Sequence, residues 1–507
     1  MGQAHGNTVG AYIMGADSYS AGQFLHFGID LSMPCGTPLL AVATGEVSGV
    51  DDMSRGSAPH NLLLRFPDLG LVVLYGHLLE RPTLVVGQIV QQGEVVALSG
   101  SPTGDCDFRP HLHLEVRALN HAAAYNPIDY IQGAWHSWSG LGIRSGALFQ
   151  RDLYNPRRWM SLNDQPDIRF GGTRLNNYRL TSPSTADRNM IRTAALPQAY
   201  TPPAPNWGLR AVPGFEGACC AGPWWRMESS DNFYVIDGPE GQLANLYAVD
   251  TSGALPPQIV QAAPAPYFSA DGSHQLIYEG DITRIVRLAD GQQWQFIFPN
   301  SYPGLSPDNT HLLWRINDRE VWAGALDGSS STRLWVGESV AAQWLDSERI
   351  LIRQAEEGRF SSYHVVKLSD GASYSLGTWH NLRAERVAPG GKQLIFLTSF
   401  NQDPALDGLY LLPLEAGGVA QKLPWLGDYR WRDSESLFYL SYDPFTDTQG
   451  LHFYHPASGQ DTPLTERGRQ VFSIANGDWA VSPDGQKIVF QSALDGRLWL
   501  LEGLPEG

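Results

Sequence analysis

Three short segments hold the residue types that hydrolyse amides with the help of a metal. HFGID sets His26 four residues before Asp30, LYGHL carries His77, and HLHLEVR carries His111 and His113. Imidazole nitrogens and a carboxylate oxygen suit a divalent cation, and three such ligands leave the fourth tetrahedral position to water, the open arrangement of catalytic rather than structural sites. Residues two apart on a strand share a face, so His111 and His113 enter one cleft, one to bind the cation and the other to face substrate. A lone H-x-H is more often two satisfied histidines, and H-x-x-x-D alone is weaker still. Spacing by itself supports metal-assisted amide hydrolysis and nothing narrower.

The elements that must position these side chains read as short strands parted by glycine turns, at residues 39–44, 46–50, 61–66, 71–75, 95–99 and 111–117. Apolar and polar residues alternate in several, and no helix-length periodic window occurs. Residues 1–133 are therefore expected to form an antiparallel β domain. The stretch 134–215, rich in Trp, Arg, Asn and Pro and ending in TPPAPNWG, reads as an irregular connector. Its run RRWMSLNDQPDIRFGG is expected to be an embellishment lying on one of the two flanking domains.

From residue 216 to 507 a repeat takes over. Units such as FSADGSHQLIYE, LSPDNTHLLWRI and VSPDGQKIVFQS join a turn rich in Asp, Gly and Ser to an apolar strand, with turns near Asp231, Asp271, Asp308, Asp346, Gly390, Asp433 and Asp484. Spacings of about 37–51 residues match one four-stranded blade, so seven blades are expected, or six if the first unit only completes the last. The final unit stops after its third strand at Leu501, and closure calls for a strand from upstream, within residues 200–223.

Taken together, HFGIDLSMPCGTPLLAVATGEV, LYGHL and RPHLHLEVR resemble the lysostaphin-type (LytM-like) zinc endopeptidases of the duplicated hybrid motif superfamily. The resemblance implies an all-β chain, an N-terminal antiparallel β-sandwich followed by the propeller. It implies Zn2+ on His26, Asp30 and His113, with His77 and His111 as catalytic residues that orient and deprotonate the attacking water and stabilise the oxyanion. It implies a peptidoglycan peptide as substrate and a location outside the cytoplasm. Two departures bear on specificity: the loop GSPTGDCDFRPHLHLE is longer than the usual glycine-rich approach, and PDLG replaces a common His-Gly turn. VSPDGQKIVFQS with DGRLWLLE resembles TolB-type propellers, a likeness informative about fold and not about function.

Other residues invite ordinary readings. Glu115 faces outward or pairs with an arginine, with support of the metal histidine as the alternative. His60 reads as a loop histidine, with lining of the cleft as the alternative, and Tyr75 and Arg109 as ordinary packed or solvated residues, with contact to a peptide as the alternative. Of four cysteines, Cys35 and Cys106 are placed either to bridge or to remain buried thiols, while adjacent Cys219 and Cys220 read as buried.

Composition narrows the partners. A formal charge of −17 with only four lysines argues against nucleic acid. No apolar run reaches the roughly 18 residues of a membrane span. Residues 1–10 lack a secretory signal, as a trimmed N-terminus would. The leading expectation is a zinc endopeptidase of peptidoglycan cross-links whose propeller recruits a protein or wall component. The alternatives are a non-catalytic zinc-binding wall scaffold acting through the propeller, and a peptidase of secreted or glycine-rich peptides.

Overall fold

A computed structural model of the chain describes residues 2–8, 25–106 and 109–140, scattered positions from 162 to 171, 208–212, and most of 223–504. The N-terminal strands are β1 (Ile29–Ser32), β2 (Pro38–Leu40), β3 (Gly45–Val50), β4 (Asn61–Phe66), β5 (Leu71–Gly76), β6 (Ile89–Val90), β7 (Val95–Leu98), β8 (His111–Ala118), β9 (Ala123–Tyr125) and β10 (Ile168–Arg169). The main sheet runs β10-β9-β8-β5-β4-β3-β6, and β2 pairs with β7 in a separate ribbon. All these pairings are antiparallel.

Strand β8 is the axis of this domain. One edge pairs with β5, and the other is shared: β1 covers His111–Leu114 and β9 covers Val116–Arg117. Alternation sends Leu112, Leu114 and Val116 into the core with Leu62, Leu64, Val73 and Tyr75, against Leu39 and Val96 of the ribbon. His111, His113, Glu115 and Arg117 therefore line the other face. Strand β5, LVVLYG, does not alternate because its side chains are buried on both faces, Leu63, Val72 and Leu74 forming a second small cluster.

The connector run is an embellishment on the N-terminal domain: β10 extends the main sheet through β9, and the Asn126 side-chain amide donates to Leu162 O at 2.7 Å. A six-residue helix, Trp135–Gly140, also occurs where irregular backbone was expected. Trp135 is buried in the domain core and donates to Ile131 O. The helix rests against Ile474–Val481, a strand of the propeller's last blade.

The propeller has seven blades. Strand β11 (Gly208–Ala211) precedes β12–β35, residues 224–463, which make six four-stranded sheets, followed by β36 (Ile474–Val481), β37 (Lys487–Ser492) and β38 (Leu498–Glu502). β11 pairs antiparallel with β38 and completes the seventh blade, the upstream strand that closure required. Leu498 and Leu500 of that blade pack on Phe233, Val235 and Val249 of the first. The repeated turns share a mechanism: Ser269, Ser306 and Ser482 donate to Asp271, Asp308 and Asp484 two residues on.

Candidate metal centre

Register brings the first two donors together. Asp30 of β1 lies directly opposite His113 of β8, so their side chains leave the same face as neighbours. His113 Nδ1 is 2.8 Å from Asp30 Oδ1. His26, just ahead of β1, completes the group: its Nε2 is 3.1 Å from His113 Nδ1 and 3.2 Å from Asp30 Oδ1. Among the described residues this is the cluster of His, Cys, Asp and Glu whose donor atoms are close enough for one ion.

Each imidazole is held from behind. His26 is fully buried, and its Nδ1–H donates to Ala4 O at 2.7 Å, because a carbonyl only accepts. That leaves Nε2 as the nitrogen facing the group. Residues 2–8 lie along the strand entry through bridges Gly6↔His26 and Gln3↔Asp30. His113 donates from Nε2 to Glu115 Oε1 at 2.9 Å, which turns Nδ1 toward Asp30. Arg117 in turn donates to both oxygens of Glu115, at 2.5 and 3.0 Å, and to Arg55 O at 2.9 Å.

Electrostatics follow this geometry. Burial works against charge on Asp30, yet the neighbouring His26, His111 and His113 hold its carboxyl well below the usual range. Burial likewise opposes the His113 imidazolium, but Asp30 and Glu115 outweigh it and raise His113 to about 9. Glu115, despite burial, is held at about 2 by Arg117 and His113. Without a cation, therefore, a proton on His113 neutralises part of the paired carboxylate charge.

His77 and His111 flank the trio. Ring centroids of His77 lie 4.9 Å from His111 and 5.5 Å from His113. His77 follows β5 with φ of 58°, and its Nδ1–H donates to Ala58 O at 2.5 Å. Burial first, then the charges of His113 and His111, lower His77 to about 4, so it is neutral near pH 7. His111 donates from Nδ1 to Arg109 O at 2.6 Å, and its Nε2 is 3.6 Å from Asp30 Oδ1. Gly76, opposite His113, has no room for a side chain: a Cβ would come within 2.4 Å of Ser57 Cβ.

All five residues singled out in the sequence thus meet in one place. Tyr75 is packing, its hydroxyl donating to Leu40 O and accepting from Val42 N. His60 pairs with Asp51 at 3.0 Å. Glu115 takes the supporting role against His113, with Arg117 behind it; the H-x-H-x-E-x-R alternation is the signal that points there. The carbonyls of Ala4, Ala58 and Arg109 leave no trace in side-chain identity. Cys35 and Cys106 are bridged, with Cα atoms 5.8 Å apart. Cys219 and Cys220 lie outside the described residues.

Residues 24–127 match the model of Peptidase family M23. This M23 domain is 34% identical over 103 residues to an uncharacterized metalloprotease of Haemophilus influenzae, covering 20% of this chain and 20% of the relative. It is 32% identical over 126 residues to the uncharacterized lipoprotein YgeR of Escherichia coli, covering 24% and 45%. With lysostaphin of Staphylococcus simulans it shares 26% identity over 118 residues, 23% of each chain. The matches span less than half the length of these relatives. Among solved structures, the chain is similar to an oligogalacturonate lyase in complex with manganese, at 14% identity and TM-score 0.43, covering 61% of this chain and 96% of that one. It is also similar to TolB from Acinetobacter baumannii, at 16% identity and TM-score 0.31, covering 46% and 64%.

Proposed function

We propose that the M23 domain is a zinc-dependent endopeptidase that hydrolyses peptide bonds in peptidoglycan cross-links, and that the propeller binds or targets it to a wall or protein ligand. The convergence of His26 Nε2, Asp30 Oδ1 and His113 Nδ1, with mutual separations of 2.8–3.2 Å, carries this reading. Tetrahedral zinc bonds of about 2.0–2.1 Å would set such donors about 3.3 Å apart, so the group fits with only a slight expansion. These three residues would hold the ion, and the chemistry it would supply is Lewis acidity toward a peptide carbonyl and the attacking water.

The chain's own residues supply the rest. Ala4 O and Glu115 fix which nitrogens of His26 and His113 face the ion. His77, neutral and with Nδ1 engaged by Ala58, offers Nε2 as the base that takes a proton from the attacking water. His111, whose Nδ1–H is engaged by Arg109 O, presents Nε2 on the Asp30 side as a second acceptor that orients the attacking water. An extracytoplasmic location is supported by the disulfide, which persists in oxidising compartments, and by the likeness to a lipoprotein and to lysostaphin.

The test is zinc content together with digestion of purified peptidoglycan, the released fragments read by mass spectrometry. One zinc per chain, with new amino termini that vanish in His113→Ala, is the expected result. Stoichiometric zinc without cleavage of any cross-link type would overturn the enzyme reading and leave a binding scaffold.

A further inference from the structure

The loop between Ser99 and His111 approaches the site from outside. An isolated bridge, Gly100↔His111, closes its base. Its last residues deliver the carbonyl of Arg109, a residue at φ 48°, to His111 Nδ1 at 2.6 Å. Three residues before Arg109, Cys106 is bonded to Cys35, which lies three residues beyond the end of β1, the strand that carries Asp30. The covalent bridge therefore ties the loop that orients one catalytic imidazole to the strand that presents a metal ligand. A hydrogen bond to a carbonyl fixes which nitrogen of His111 carries the proton, and its loss frees the ring to rotate and exchange tautomers.

We propose that the Cys35–Cys106 bridge is a positioning latch for His111, so that hydrolysis requires the oxidised chain. This rests on the endopeptidase reading for its catalytic consequence, and on geometry alone for the effect on His111. A dithiol reductant gives up two electrons and two protons, becoming a disulfide itself, and leaves Cys35 and Cys106 as thiols. The loop then loses its covalent tie and Arg109 O withdraws from His111, while the Met33 N to Pro110 O bond and the Gly100–His111 bridge keep β8 in register and His26, Asp30 and His113 in place. A chain kept in a reducing compartment would hold metal yet turn over slowly, and would reach full rate only where disulfides form.

The experiment uses the full chain labelled with 15N-histidine in three forms: wild type, the Cys35→Ser/Cys106→Ser pair, and wild type opened by a phosphine. The phosphine takes oxygen from water as it becomes its oxide and leaves two thiols. Imidazole nitrogen shifts report the His111 tautomer, assigned by its loss in His111→Ala, while zinc content and steady-state cleavage are measured in parallel. Both opened forms are expected to lose the fixed Nδ1–H signature of His111, keep zinc, keep KM, and lose about 100-fold in kcat. An unchanged His111 signature and unchanged kcat would overturn the latch. So would loss of zinc in both opened forms, because the bridge would then hold the whole site and not His111. If wild type cleaves nothing, the histidine spectrum alone decides the latch, and the failure counts against the endopeptidase reading.

Discussion

His113 Nε2 lies 2.9 Å from Glu115 Oε1, on the side of the ring opposite the nitrogen that faces Asp30. One strand thus supplies both the imidazole and the carboxylate that aims it. Two residues further on, Arg117 closes the chain with two bonds to Glu115. Asp30 across from it and Glu115 beside it on β8, with Arg117 behind, thus set the charge of the His113 imidazole.

The raised pKa of His113 makes metal binding pH-dependent. A proton held up to about pH 9 must leave before a cation can take Nδ1. Below that value each bound ion displaces one proton, so apparent zinc affinity should rise roughly tenfold per pH unit from about pH 6 to 9 and level off above. Competition titrations with a chromophoric chelator measure it. A flat profile would show that His113 is already deprotonated at neutral pH.

Arg117→Ala leaves Glu115 charged, buried and without its strongest partner, at a cost of about 3–5 kcal/mol to the domain. Glu115→Gln keeps the shape and removes the charge, and should weaken zinc binding by about 10–100-fold. The folded pKa of Glu115 is depressed, so its stabilising contribution is complete above about pH 4.5 and is lost as pH falls toward 2. Acid unfolding of Glu115→Gln should therefore show a shallower dependence on pH across that window, followed by circular dichroism.

Replacing His77 or His111 by Ala should lower kcat by about 10²–10⁴ while leaving zinc content intact, since neither is among the three converging donors. The pH profiles separate them. His77 is lowered to about 4, so its basic form persists to acid pH and kcat/KM should rise through about pH 4 and then hold. A cation at His113 is positive like the proton it displaces, so it too disfavours the charged form of His77. Loss of that acid limb in His77→Ala, and its retention in a slow His111→Ala, is the expected pattern.

Closure of the propeller rests on β11. Leu209 sits opposite Leu501 in the pairing that completes the last blade. Alternation from the Val212 N to Leu498 O bond makes the next residue but one, Arg210, a donor to β38, so Arg210→Pro removes a ladder bond at a cost of about 1–3 kcal/mol. Differential scanning calorimetry should show the propeller transition moving down with zinc binding by the M23 domain preserved. Both transitions falling together would indicate that the two domains unfold as one unit.

Much of this architecture is legible in the sequence because strand periodicity is a short-range property. H-x-H on an alternating strand commits His111 and His113 to one face, and the Asp-rich turns mark each blade in turn. What stays hidden depends on pairing between distant segments. Nothing in HFGID says that Asp30 will stand opposite His113, since register is set by the partner strand. Strand β11 is only four residues long and takes its shape from β38, nearly 300 residues later. The helix Trp135–Gly140 is too short for a periodic signal, and Trp135 is held by core packing instead. Backbone carbonyls that steer His26, His77 and His111 belong to no residue type at all.

The seventh blade, sharing residues 208–211 with residues 474–502, also dictates an order of assembly. Synthesis must reach residue 502 before the ring can clasp, whereas residues 24–127 lie upstream of it and are completed earlier. Nascent chains would therefore pass through a stage in which the N-terminal sheet is complete and the blades form an open, sticky arc. Any cut that severs residues 498–502 from the last blade would return the molecule to that stage.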